Sequence, residues 1–404
     1  MDLVSRSMHA QSHPSIPEQA FLMRLARALH RFGSPSHRTE EALARVAEAL
    51  DTQAEFLVTP TSIVASFGSA PTSQTYLARV DSGESNLAKL SDLQSIFRQV
   101  QAGRLSPAVG SEEIERLLQR PGIHPLWATL VAFGVASASV AIFFDGGWRE
   151  SLVSAGVGLV IGIAATSMTR SKRWSLVFPA VAGIIAGLST HVANGVFGNL
   201  YPLIPTLAGL IVILPGLTLT IAVSEIAHRH LVSGTARLSG AMITFLQLAF
   251  GVALGQRFAG LLVASQPTSA PTPPPLLIVA VALVATSVAL TVLFQARLRD
   301  TPVVLVMIAI AFFGARFSTQ YLGPYLGALV GAWLVGTLGT VFSRWRNIPS
   351  AIPVLPALLI LVPGSIGFRS LSALLAEDLV TGLAAGFSML VIAFSLVIGL
   401  LSPI

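Results

Sequence analysis

The sequence predicts an α-helical polytopic membrane protein: ten transmembrane helices arranged as a five-plus-five inverted repeat, behind an N-terminal cytoplasmic α+β domain. Three observations carry this. Apolar residues make up 53% of the chain and charged residues 11%, against roughly 25% charged in soluble domains. Charge is concentrated at the front, where residues 1–124 hold 12 Lys/Arg and 13 Asp/Glu, while the other 280 residues hold 13 and 6. The third is a stretch written twice: Ile204–Leu217 reads IPTLAGLIVILPGL, and from Ile352 the chain reads IPVLPALLILVPGS.

Residues 1–124 form the first domain. The opening fifteen residues lack the apolar core of a secretory signal, so the N-terminus is expected to stay in the cytoplasm. Phe21, Leu22, Leu25, Ala28 and Leu29 recur at helical spacing, and Gly33-Ser34-Pro35 ends that helix. A second helix runs through Leu50, with Glu40 and Glu41 near the positive end of its dipole. Short β-like runs follow at Glu55–Val58, Ser62–Phe67 and Thr75–Val80, then helical spacing returns at Asn86–Gln101 and Glu112–Leu118. His37 and Arg38 lie beside two glutamates, but one histidine has neither the ligand count nor the spacing of a metal site. A structural or domain-contact role is expected for both.

The membrane body divides into a first repeat over 125–265, a Pro-rich linker over 266–275 and a second repeat over 276–404. Apolar segments long enough to cross the bilayer fall near 125–144, 151–169, 174–192, 201–223, 238–264, 276–294, 303–320, 324–342, 351–370 and 379–401. With the N-terminus inside, the cytoplasmic connections hold nine cations: Arg170, Lys172, Arg173, Arg229, Arg237, Arg297, Arg299, Arg344 and Arg346. The opposite side holds four, Arg149, Arg257, Arg316 and Arg369, which is the bias of the positive-inside rule. Both termini come out cytoplasmic. Five segments per half is an odd number, so the two halves must be oppositely oriented.

The repeated stretch keeps a constant offset of 148 positions, pairing Pro205 with Pro353, Pro215 with Pro363 and Gly216 with Gly364. Each Pro-Gly sits about 15 Å into its segment at 1.5 Å per residue, near mid-membrane. Proline removes an amide donor and glycine leaves helical angles easily, so backbone carbonyls become available to a ligand. Interrupted helices in matching places of two halves point to the substrate site of a secondary transporter. The candidate substrate-binding residues are therefore Pro215, Gly216, Thr218, Thr220, Pro363, Gly364 and Ser365. The proton-coupling candidates are Glu225, Asp145 and Asp378, and Ser233, Gly234 and Arg237 are candidates for gating or helix packing. Glycines four apart, as at Gly158/Gly162 and Gly323/Gly327/Gly331, read as packing seams.

The chain has no cysteine, which excludes disulfides, thiolate nucleophiles and Cys-ligated metals. It has no phosphate loop, nucleophile elbow or HExxH. No catalytic residue, cofactor or metal is expected, and the basic balance reads as loop charge rather than nucleic-acid binding.

Several stretches resemble the threonine/serine exporter family. They are GSPSHRTEEAL at Gly33–Leu43, FLVTPTSIVASF at Phe56–Phe67, NLAKLSDLQSIFRQVQAG at Asn86–Gly103, FFDGGWRE at Phe143–Glu150, and LPGLTLTIAVSEIAHRHLVSGTARLSGA at Leu214–Ala241. The chain is similar to the fused form of this two-part family, with the seam near 266–275. The resemblance implies a multi-pass inner-membrane exporter of threonine and serine, or of a dicarboxylate such as succinate, driven by protons. The expected partners are a small-molecule substrate, protons and the lipid bilayer, and a homo-oligomer is compatible with this. The rival readings are a facilitative channel, a membrane enzyme, or a receptor built on the front domain.

Overall fold

The computed structural model describes residues 16–69, 71–81, 83, 85–198, 200–264, 272–361, 364–375 and 377–401. By contacts the chain divides into two compact units. One is the chain up to Gly122 together with Glu225–Ala236, and the other is Ile123–Ser224 with Arg237 onward. The capture of Glu225–Ala236 by the front unit differs from the expected boundary, which placed that segment inside the first membrane repeat. Its affinity is set by buried polar partners far away in sequence, and local composition does not report those.

In the front unit, α1 (Pro17–Arg31) and α2 (Ser36–Ala49) precede β1 (Ala54–Val58), β2 (Ser62–Phe67) and β3 (Gln74–Arg79), followed by α3 (Leu87–Gln101) and α4 (Pro107–Gln119). The strands form an antiparallel sheet in the order β1-β2-β3, with Ala65 facing Phe56 on one side and Tyr76 on the other. Ile63, Ala65 and Phe67 alternate onto the buried face of β2 and meet Phe21, Leu22, Leu25, Leu43 and Ile114. Each of the larger of these side chains, fully buried, contributes roughly 1.5–3 kcal/mol. The Asn86 side chain caps α3 by accepting from the Lys89 N–H at 3.0 Å. Pro107 opens α4 five residues earlier than the periodicity suggested, because proline at the first helical position forfeits only an amide that has no partner there.

The second unit runs α5 (Leu126–Phe143), α6 (Trp148–Met168), α7 (Lys172–Phe197), α8 (Leu203–Leu210), α9 (Gly216–Ala227), α10 (Leu231–Gly260), α11 (Leu276–Leu293), α12 (Thr301–Arg346), α13 (Ala351–Leu361), α14 (Gly364–Leu375) and α15 (Leu379–Leu401). The ends of α9 and α10 that flank Arg229 are the part held in the front unit. Eight of the described helical stretches are long and apolar enough to cross a membrane. The segments expected at 303–320 and 324–342 are both within α12, which is two helical arms joined at Gly323: a β-carbon on Gly331 would sit 3.2 Å from Ala315 Cβ, so the second arm folds back along the first. Gly323 interrupts it at φ 82°, directly before Pro324. Most of the expected linker lies outside the described residues.

Corresponding turns repeat their geometry. After α5, Asp145 adopts φ 62° and the Gly146 N–H bonds the Ala141 carbonyl at 2.9 Å. After α11, Gln295 adopts φ 49° and the Ala296 N–H bonds Thr291 at 2.8 Å. Arg229 after α9 and Glu377 after α14 repeat the same device, at φ 66° and 64°. All four are left-handed helix caps on non-glycine residues, each carrying a cost of about 1–2 kcal/mol.

α5 and α11 run antiparallel. Ala132 and Ala136 cluster with Ala289 and Val292, whereas Ile142 clusters with Val279 and Leu283. At one end the His124 N–H donates to Gln295 Oε1 at 3.3 Å, and the His124 ring nitrogen meets the Ala296 carbonyl at 2.8 Å.

Candidate functional site

The first break is a tightened turn. Ile213 and Leu214 both bond back to Leu210, at 2.9 and 3.0 Å, and α9 starts at Gly216. Pro215 brings no N–H, so the Ile211 carbonyl receives no donor four residues on. The second break lies between α13 and α14; Pro363, one of the expected substrate contacts, is outside the described residues. Gly364, which opens α14, lies against the first break. A β-carbon placed on Gly364 would sit 3.4 Å from Gly216 Cα and 3.4 Å from Leu214 Cβ.

Beside these apposed breaks is a cavity of about 130 Å³, lined by residues of α5, the first break, α11, α12, α13 and α14. At roughly 30 Å³ of liquid per water, it has the room of about four waters, the size class of a small metabolite. Its lining pairs up across the repeat. Ile211 and Val212 correspond to Leu359 and Ile360 at the offset of 148, and Ala136 and Val140 correspond to Thr286 and Leu290 at 150. The polar side chains in this wall are Thr286 and Ser365, both from the second half. Thr286 is buried, and its hydroxyl has no hydrogen-bond partner. An unpaired buried hydroxyl costs about 1–3 kcal/mol unless a ligand or water meets it. Sequence reading passed over Thr286; the signal was a Thr-Ser pair inside the otherwise apolar run of α11.

Several expected contacts fall elsewhere. Ser365 lines the cavity, but Thr218 and Thr220 are not in its lining. The Thr220 hydroxyl is committed to the Gly216 carbonyl of its own helix at 3.1 Å. That back-bonding is the usual fate of a threonine one turn from a carbonyl in a dry helix. Asp378 caps α15 by accepting from the Thr381 N–H at 3.1 Å. Its bonds from the Thr381 side chain and backbone hold the carboxyl below the ordinary range, the opposite of what a proton acceptor near neutrality needs. Asp145 pairs with Arg316 at 3.3 Å.

Glu225 was expected as an intramembrane carboxylate near the cytoplasmic end. The structure places it in the front unit, fully buried, where its oxygens accept from the Ser36 backbone N–H at 2.9 Å and the Ser233 hydroxyl at 2.7 Å. Ser36 is the first residue of α2, so this carboxylate caps a helix N-terminus from a remote segment. The Ser36 and Ser233 hydroxyls meet at 2.6 Å, and Gly234 is buried beside them. His37 stacks on His228 with ring centroids 4.2 Å apart, which gives it the contact role expected of it. Arg237 begins the chain's return to the second unit. Among the described residues no cluster of metal-ligating side chains occurs.

Glu40 completes the clasp, accepting from the Val58 N–H at 2.7 Å and lying 3.5 Å from His230. Burial, the largest influence, pushes its carboxyl above the ordinary 4.5; the Val58 bond and His230 oppose this and Glu225 reinforces it. The folded clasp therefore holds the Glu40 proton more tightly than the unfolded chain does. The stability this supplies is full below 4.5 and is lost as the pH rises through the raised value. Hydrogen exchange on the full chain should show protection of α2 and Glu225–Ala236 weakening over that rise. Glu40→Gln should flatten the dependence, and an unchanged slope in the variant would remove Glu40 as its source.

Comparison with known proteins places this geometry in context. The threonine/serine exporter family (ThrE) matches residues 20–259, and its second form (Threonine/Serine exporter, ThrE) matches residues 277–404. Pheromone-regulated membrane protein 10 of Pichia sorbitophila is 30% identical over 383 residues, covering 91% of this chain and 38% of that protein. Its counterparts in Candida albicans and Debaryomyces hansenii are also 30% identical, over 91% and 89% of this chain and 34% and 36% of their own length. The chain spans between about a third and about half of the length of the curated relatives it matches. No solved structure matches it.

Proposed function

The chain belongs to the threonine/serine exporter family in its fused form, and from that premise we propose that it is a proton-coupled secondary exporter of threonine and serine. Transport proceeds by alternating access around the Pro-Gly breaks. The observation that carries this is the cavity lined by equivalent positions of both halves beside the contact between Gly216 and Gly364. The antiparallel run of α5 and α11, and the matching caps at offsets of 150 and 148, support a five-plus-five inverted repeat. The break at Gly323 supports two crossings within α12 and hence ten in all. The basic cytoplasmic connections support an inner-membrane location with both termini inside. The Ile211 carbonyl and the Thr286 and Ser365 hydroxyls offer polar contacts to the substrate, and Glu225 or Asp145 would carry the coupling proton.

A dicarboxylate exporter is the alternative. The described lining has no cationic side chain, so a dicarboxylate would enter with uncompensated charge, whereas an amino acid enters with none net. Radiolabelled counterflow in proteoliposomes decides between them. Threonine and serine are expected to exchange at least about tenfold faster than succinate. Succinate exchanging faster would replace the amino-acid reading, and uphill efflux that survives an uncoupler would remove the proton.

A further inference from the structure

The cavity wall is uncharged, yet one end of it is bordered by a charge pair. Asp145 follows directly on Phe143 and Phe144, and Arg316 stands one helical turn beyond Phe312; those three phenylalanines line the cavity. The Phe143 and Phe312 rings are 4.9 Å apart, and the Arg316 guanidinium lies 5.8 Å from the centre of the Phe312 ring. Arg316 reaches Asp145 at 3.3 Å, joining the α5–α6 turn of the first half to α12 of the second. These side chains remain 54% and 38% exposed. A pair that exposed contributes only about 0–1 kcal/mol to stability, and arginine facing lipid would be costly, so this end of the cavity opens to water. The positions equivalent at an offset of 150 are Gln295 and Thr166, both neutral. Gln295 accepts from the His124 backbone, and the Thr166 hydroxyl is bonded to Ile163 of its own helix. At these two equivalent positions only one end of the cavity carries an ion pair.

We propose that Asp145 and Arg316, backed by the Phe143–Phe312 layer, form a gate and selectivity site for amino-acid zwitterions. It opens when the pair exchanges its mutual contact for the ammonium and carboxylate of the substrate. This rests on the amino-acid reading above and adds to it the groups that read the two charges. Asp145 takes the ammonium and Arg316 the carboxylate, so a solute with both replaces the pair without leaving either charge unmatched. A solute with one charge strands the other partner. The left-handed backbone of Asp145, on the second residue past α5, lets that turn shift without unwinding a helix.

The experiment measures counterflow of threonine, threoninol (no carboxylate) and N-acetylthreonine (no ammonium) by wild type, Arg316→Gln and Asp145→Asn. Arg316→Gln is expected to shrink the preference for threonine over threoninol about tenfold and leave the preference over N-acetylthreonine intact; Asp145→Asn should do the reverse. A merely structural pair would lower all three rates together, and that result, or unchanged ratios, overturns the gate. A second measurement is independent of folding losses. Because the chain has no cysteine, a D145C/R316C variant can be cross-linked with a short bifunctional thiol reagent. The uncross-linked variant, lacking both charges, should lose the preference for threonine over either analogue, and cross-linking should stop its remaining exchange, whereas full exchange by cross-linked protein overturns the proposal. If wild type moves succinate and not threonine, the amino-acid reading falls and the zwitterion site with it. If it moves threonine while both ratios hold, only the gate falls.

Discussion

Replacing Gly364 with leucine is expected to abolish exchange, lowering counterflow by more than about a hundredfold, while Gly364→Ala keeps a measurable fraction. The two breaks touch at this glycine, where a β-carbon would already be in contact with Gly216 Cα and Leu214 Cβ at 3.4 Å. One added carbon fits; the three further carbons of leucine must push the halves apart or deform the turn beside Ile211. Overpacking of this kind costs about 1–3 kcal/mol, which a large helical body survives, so the variant should still purify as a folded protein with its melting temperature little lowered. Alternating access requires the broken helices to move past each other, and a wedge at their crossing blocks that while leaving the rest in place. Gly216→Leu should behave alike, since Gly216 is buried on the other side of the same contact. Wild-type exchange by a stably folded Gly364→Leu protein would remove the crossing of the breaks from the mechanism.

Truncating Glu225 to alanine should undo the clasp in the front unit. Glu225 is 0% exposed and accepts two bonds, from the Ser36 N–H and the Ser233 hydroxyl. Bonds to a charged acceptor are each worth about 1.5–3 kcal/mol, and the amide at the start of α2 would be left buried without its acceptor. A loss of about 3 kcal/mol corresponds to roughly a hundredfold less protection, read by hydrogen exchange across α2 and Glu225–Ala236 of the full chain. Ser233→Ala removes the hydroxyl bonds to Glu225 and Ser36 but keeps the carboxylate on the Ser36 amide, so it should cost less than Glu225→Ala. Unchanged protection in Glu225→Ala would show that the segment is held by something other than this carboxylate. Since α9 begins at the first break and ends in the clasp, transport measured on the same variant reports whether the front unit restrains that helix.

How much of this could be read from the chain follows from how far each signal travels. Class and order of elements were legible: the apolar runs, the β2 alternation of Ile63, Ala65 and Phe67, and the Pro-Gly interruptions are set by desolvation and backbone sterics acting within a few residues. The duplicated IP…PG stretch located the breaks for the same reason. Of the expected hydroxyls Thr218, Thr220 and Ser365, one lies in the cavity lining. Ser365 reached the cavity wall, but Thr220 bonded its own helix, because a threonine in a dry segment satisfies itself on the nearest carbonyl before any ligand does. The partners of Glu225 were hidden by sequence distance: its flanking residues are Ser224 and Ile226, while its bonded partner Ser36 is 189 residues away.

The sequence by itself determined that this is a helical membrane protein with a twice-written Pro-Gly stretch, because periodicity, hydropathy and helix-breaking are local properties. Only the tertiary structure decided that the two breaks meet at Gly216 and Gly364, that Thr286 faces a cavity with a free hydroxyl, and that Arg316 finds Asp145. Each of these depends on which surfaces the folded chain brings together, and packing between segments more than a hundred residues apart leaves no mark on the pattern within either one.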